Sequence, residues 1–301
     1  MTSIWIPVTI LAAAVQTLRN GLFKHAKKTV SDDAILFVRF AFALIFAIAL
    51  MLVIYGSGYK MPTPNGKFAI YVFGAAIIQV IGGFLFLALF SRRNFVIGVT
   101  YGKTEALQAA IFSALLFGDF ISVGALFAIL LGLAGILLIS IIEQHISANL
   151  LAKIFTKSAQ IGLACGACFG LAGVLIREAI LALGDDGFFI RSTYTMTCIF
   201  AVQAITMLFV MYMSGGKERF RQILLIKRDS VLIGATTMTC ALCWFVAFSF
   251  AKAAHVALVG QIEILFSVFM THKIFKENIN KLEIVGMGML VASIVIMGYV
   301  K

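Results

Sequence analysis

The chain has 301 residues, of which 62% are hydrophobic and only 12% charged, with a formal net charge of +11. A mean hydropathy of +1.06 excludes a soluble globular domain and indicates a chain dissolved in lipid. The basic excess lies in short connections between apolar runs, as membrane proteins distribute Lys and Arg, and no basic face or aromatic platform accompanies it, so nucleic-acid binding is excluded.

Ten apolar runs follow in chain order: 4–22, 32–54, 67–90, 95–117, 120–142, 158–182, 188–213, 229–250, 254–272 and 282–300. A hydrocarbon core of about 30 Å takes about 20 helical residues to cross. Backbone groups in lipid must be satisfied within each segment, so the runs predict helices; a β-barrel would show short alternating segments. The fold class is therefore an all-α polytopic membrane protein with ten transmembrane helices. No basic n-region or small-residue cleavage site precedes Arg19, so the first run is expected to be a retained span.

The longest connections are 143–157 and 214–228, and the first of these separates two five-helix halves, 1–142 and 158–301. The halves resemble each other at an offset of 158 residues: Phe90-Ser91 matches Phe248-Ser249, Gly102 matches Gly260, and Glu105 matches Glu263. Gly118-Asp-Phe-Ile-Ser122 likewise matches Lys276-Glu-Asn-Ile-Asn280. Asp32-Asp33 and Asp185-Asp186 each precede an Arg, Arg39 and Arg191. Five helices is an odd number, so tandem copies run in opposite senses, and such inverted repeats form a midplane site between them. The odd-numbered connections carry 15 Lys or Arg and the even-numbered ones with the termini carry four, which puts both termini on the non-cytoplasmic side.

Ionisable groups near the bilayer centre are expensive and are usually kept for function. Lys103 and Glu105 in Tyr101-Gly-Lys-Thr-Glu105, and Glu263 in Gly260-Gln-Ile-Glu263, are such groups. Lys103 and Glu105 are two apart, roughly 200° around a helix, so they are expected to face different ways, one toward Arg19 and the other toward Glu263. An acid in an apolar cavity can cycle a proton; the alternative is an ion pair that only sets helix register. Gln16, Arg19 and Asn20 share a face of the first helix by their three- and four-residue spacing. Arg39 lies a third of the way into the second helix, while Arg191 reads as interfacial. Tyr101 and Gln261 are expected to line a cavity, with Trp244 and His255 as further candidates; His255, at a helix start, is expected to meet water.

The other signals are packing signals. Gly162, Gly166 and Gly170 form a four-residue ladder that lets another helix approach closely, and Gly132, Gly135, Gly286 and Gly288 are expected to act alike. The pairs Cys165/Cys168 and Cys240/Cys243 have metal-like spacing, but they lie in apolar helices with no neighbouring His and read as small packing residues. Phe and Met residues are lipid-facing or core by default. No nucleophile–base set, phosphate loop or metal spacing is present, so neither an enzyme nor a bound cofactor is expected.

Val38-Arg39-Phe40, Lys103-Thr-Glu-Ala-Leu107, Gly118-Asp-Phe-Ile-Ser122, Glu263-Ile-Leu-Phe266 and Phe275-Lys-Glu-Asn-Ile279 occur in an order and spacing that resembles EamA-type transporters of the drug/metabolite transporter superfamily. The resemblance implies a carrier with a central cavity, exporting amino acids or other small metabolites by alternating access. Two departures stand out: Ala106 replaces the Pro that often follows the Glu, implying a straighter helix there, and the loop charges oppose the termini-inside orientation usual for the family.

The expected function is secondary active transport of a small organic solute across the bacterial inner membrane, with protons as a coupling ion and the protein acting as a monomer or homodimer. The alternative is a non-transporting membrane subunit or scaffold with structural buried charges. A channel is disfavoured because no repeated ring of pore-lining charge is visible.

Overall fold

The structure, a computed structural model, describes residues 4–89, 95–143, 156–184, 187–215, 220, 221, 223, 226–266, 268 and 281–300. The matched motif at 275–279, the Asp185-Asp186 pair and most of the 143–157 connection lie outside the described residues. Described residues are almost all helical, with no strand among them.

Eleven helices among the described residues are numbered in chain order. They are α1 (Trp5–Ala26), α2 (Asp32–Gly56), α3 (Gly66–Leu89), α4 (Phe95–Gly102), α5 (Glu105–Phe117) and α6 (Val123–Glu143). The second half holds α7 (Lys157–Ala182), α8 (Phe188–Gly215), α9 (Lys227–Phe250), α10 (Ala253–Gly260) and α11 (Lys281–Tyr299). Residues 263–266 continue helically after α10. Seven of these helices, α1, α2, α3, α7, α8, α9 and α11, are long and apolar enough to cross a membrane. Shorter apolar helices cover Val123–Ile139 and Ala253–Phe266. Outward positions are apolar, with Leu115 78% and Val123 84% exposed, a surface that suits lipid and not water.

Local chemistry sets the helix ends. Pro62 and Pro64 cannot continue a helix, and the Asn65 side chain accepts from the Phe68 amide at 2.8 Å to start α3. Thr156 accepts from the Ala159 amide at 3.3 Å to start α7. Asp32 and Asp33 occupy the first turn of α2, where the helix dipole favours an acid. Gly118 ends α5 at φ 65°, a left-handed conformation that a glycine adopts without strain. The Gly118 amide donates to Ala114 O and the Asp119 amide to Ser113 O, which closes the turn.

The run 95–117 is broken. Residues 103 and 104 leave the regular helix, the Thr104 amide bonds Tyr101 O three residues back, and the Thr104 hydroxyl takes the same carbonyl at 2.6 Å. The straighter helix implied by Ala106 is therefore corrected: glycine and side-chain capping interrupt this segment without a proline. The run beginning at 254 breaks in the same way at residues 261 and 262. Both breaks end an eight-residue helix at a glycine, Gly102 and Gly260.

Packing between the helices is paired across the halves. Helix α3 packs against α7 and α1 against α9, while α2 meets α8 and α6 meets α11. The α7 glycines receive the broken helix: a Cβ on Gly166 would sit 2.7 Å from Gly102 O, and one on Gly170 3.0 Å from Glu105 O. Gly135 and Gly286 make the reciprocal contact, each facing the other's carbonyl oxygen at 2.6 and 2.7 Å from an added Cβ. Gly132 contacts Leu258 and Ser293, but Gly288 has nothing within 4 Å, so it is not a packing glycine.

Candidate functional site

The two breaks meet. Lys103, two residues before the start of α5, bonds the carboxylate of Glu263, and the Gln261 amide donates to Lys103 O at 2.7 Å. Each break thus supplies a polar partner to the other, which satisfies backbone and side-chain groups that an apolar surrounding would leave costly. Glu105 and Glu263 each open the helical stretch that follows the break, where free amides favour an acid.

Gln16 on α1 and Trp244 on α9 extend this network. Trp244 Nε1 donates to Gln16 Oε1 at 3.2 Å, and Gln16 Nε2 donates to Glu263 at 2.5 Å. These partners orient the Gln16 amide. The Trp244 ring reaches the Cα of Gly260, where any Cβ would collide with it.

A cavity of about 170 Å³ adjoins the network and is lined by groups from both halves. Gln16, Arg19, Asn20, Arg39, Lys103 and Glu105 reach it from the first half, and Trp244, Gln261 and Glu263 from the second. Lys103 and Glu105 line one cavity despite their expected divergence, because the break between them abolishes regular helical phasing. Of the two expected pairings, that of Lys103 with Glu263 is present. The second is corrected: no ion pair joins Glu105 to Arg19 among the described residues. Glu105 borders the cavity without a hydrogen-bond partner among the described residues, while Glu263 is held from two sides.

Tyr101 does not line the cavity; it is buried against Ala159 and Leu163. His255 is also corrected. It is 8% exposed, packed beside Trp5 at 6.5 Å between ring centroids, and does not meet water. Arg191 donates to Gly184 O at the start of α8, away from the cavity. Cys165 and Cys240 are free thiols that line the cavity, and Cys240 donates to Ala12 O at 3.5 Å.

Sequence reasoning passed over Gln79 and Thr237, which also line the cavity. Gln79 accepts from Gln203 Nε2 at 2.7 Å, joining α3 to α8. A lone Gln in the apolar α3 was the available signal. Phe23, Phe169, Phe200 and Phe245 line the cavity as well, although phenylalanine by itself does not separate a cavity wall from a lipid face.

At one end of the bundle, Asp119 in the α5–α6 turn bridges the halves. It lies 2.6 Å from Lys252 Nζ and 3.4 Å from Arg177 Nη1, and Lys252 also donates to Phe120 O at 2.6 Å. At the end where α1 meets α2, Lys27 pairs with Asp32 at 2.9 Å, and His25 lies 3.0 Å from Asp229.

No curated protein matches the chain in sequence. A solved structure described only as "Crystal structure of protein" superposes with a TM-score of 0.70 at 11% identity, covering 99% of this chain and 98% of that one. That likeness concerns the fold alone. The EamA-like transporter family profile matches twice, over residues 3–141 and 156–299. With nearly the whole chain matched and the apolar helices described above, the chain belongs to the EamA-like transporter family and is an integral, multi-pass membrane protein.

Proposed function

We propose that this chain is a secondary active carrier exporting small organic solutes by alternating access. Two five-helix repeats, 1–142 and 158–301, are joined by 143–157 and inserted in opposite senses. The seven long helices, α6 and the two broken segments make up ten spans. The helix pairing supports this reading: exchanging the halves turns the α3–α7 contact into α9–α1 and leaves α2–α8 and α6–α11 in place. The shared eight-residue length of α4 and α10 supports it too. The loop charges favour non-cytoplasmic termini in the bacterial inner membrane.

One observation carries the functional reading: Glu105, an acid with no ion-pair partner among the described residues, borders the cavity beside a cross-half pair, Lys103 with Glu263, at facing helix breaks. Discontinuous helices meeting at such a site are the usual construction of carriers. Glu105 is the coupling acid, exchanging a proton with the solute's arrival and departure. Glu263 and Lys103 form the gate between the halves, and Gln16, Asn20, Gln261 and Trp244 shape the solute's surroundings. Asp119, with Lys252 and Arg177, latches one end and must release for that end to open.

The test is metabolite profiling of cells and medium, comparing overproduced wild type with Glu105→Gln at equal membrane levels. A solute moved outward by the wild type alone is expected. Equal profiles with both proteins stably folded would overturn the carrier reading and favour a scaffold.

A further inference from the structure

Arg19 and Arg39 both approach one aromatic ring. The guanidinium carbons lie 5.5 Å and 5.8 Å from the Phe23 centroid, and Arg39 also lies 4.9 Å from that of Phe40. Both residues are more than nine-tenths buried, at 7% and 9% exposure, and both line the central cavity. Neither forms an ion pair among the described residues, and the Nε of each is buried without a hydrogen-bond acceptor.

Burying two like charges near each other is costly unless a counter-charge is supplied. The aromatic faces offset part of that cost, but they accept no hydrogen bonds of ordinary strength. The cavity acids supply only part of the counter-charge: Glu263 is bonded to Lys103 and Gln16 and meets Arg19 only through space, and Glu105 forms no ion pair with either arginine among the described residues. Three cations and two acids line the cavity, so it holds an excess of positive charge, and the excess is greater whenever Glu105 carries a proton. Planar guanidiniums present paired donors that match an oxyanion. Phe169, Phe200 and Phe245 offer apolar wall to whatever is attached to that oxyanion.

We propose that Arg19 and Arg39 form a clamp for the oxyanion head, carboxylate or phosphate ester, of an amphipathic organic anion, and that such anions are this carrier's substrate class. The inference rests on the carrier reading. Protonation of Glu105 and entry of the anion then favour each other, because each lowers the electrostatic cost of the other.

The test uses purified full-length protein and radiolabelled benzoate as the probe, with phenyl phosphate, benzyl alcohol and benzylamine as competitors. Saturable benzoate binding is expected, displaced by unlabelled benzoate or phenyl phosphate at concentrations at least tenfold below those needed for the alcohol or the amine. The better competitor of the two anions identifies the preferred head group. Arg19→Gln and Arg39→Gln should each weaken benzoate binding about tenfold or more, the loss of a charge-assisted hydrogen bond. Absence of benzoate binding, equal displacement by benzyl alcohol, or unchanged affinity in both folded variants would overturn the clamp. If the variants do not fold, the competition series on the wild type decides alone. Counterflow in proteoliposomes separates the two readings. Anion-selective binding without any flux keeps the clamp and removes the carrier, whereas flux of uncharged or cationic solutes without anion-selective binding removes the clamp alone.

Discussion

Lys103, at the break after α4, is bonded to Glu263, at the break after α10, across 160 residues of sequence. The pair joins the two halves beside the cavity, and both side chains are 15% exposed. Removing one partner of a buried pair leaves an uncompensated charge, at a cost of about 3–5 kcal/mol, whereas removing both does not. Lys103→Met and Glu263→Gln should therefore each lower the thermal midpoint in detergent more than the double variant does. A double-mutant cycle measures the coupling, and additive losses would show that the pair does not act as a unit.

Glu105→Gln is expected to behave differently. It removes no ion-pair partner from a buried cation, so the thermal midpoint should stay near that of the wild type. Transport should fall at least tenfold. Thermal unfolding and flux measured on one preparation check this contrast with Glu263→Gln.

The glycines of α7 and α11 make an internal comparison. Gly166→Ala places a methyl carbon 2.7 Å from Gly102 O, backbone that cannot move without displacing the break. A loss of about 1–3 kcal/mol is expected, as for overpacking generally. Gly288→Ala meets nothing within 4 Å and should be neutral or stabilise α11 by about 0.5–1 kcal/mol. Thermal denaturation of the two variants checks both values.

Asp119→Asn should weaken the latch with little effect on stability, because partly exposed ion pairs contribute about 0–1 kcal/mol. Its effect should appear as faster labelling of the cavity thiols Cys165 and Cys240 by a small water-soluble maleimide, resolved by peptide mass spectrometry. Labelling no faster than in the wild type would remove Asp119 from the opening step.

Polytopic helical character and the embedded charges were plain in the sequence, because a charge in an apolar run has no ordinary explanation. The break at residues 103 and 104 was not. It carries no proline, and it rests on Thr104 and Gln261 capping carbonyls, the latter from the opposite half. That break is also why Lys103 and Glu105 share a cavity when regular helical geometry would separate them. Tyr101 was misjudged for a related reason: its place against Ala159 and Leu163 depends on how closely the α7 glycines admit α4. In α8, Phe200 is 3% exposed and Phe209 65%, yet both are simply apolar in the sequence. In lipid the outer face is as hydrophobic as the core, so the periodicity that orients soluble helices is weak.

The separation of Lys103 from Glu263 also has a bearing on synthesis. At about 5–20 residues per second, the ribosome makes Glu263 about 8 to 32 s after Lys103. For that interval the ammonium enters or waits beside the bilayer without its carboxylate. A nascent chain halted before residue 263 therefore holds that charge without its partner.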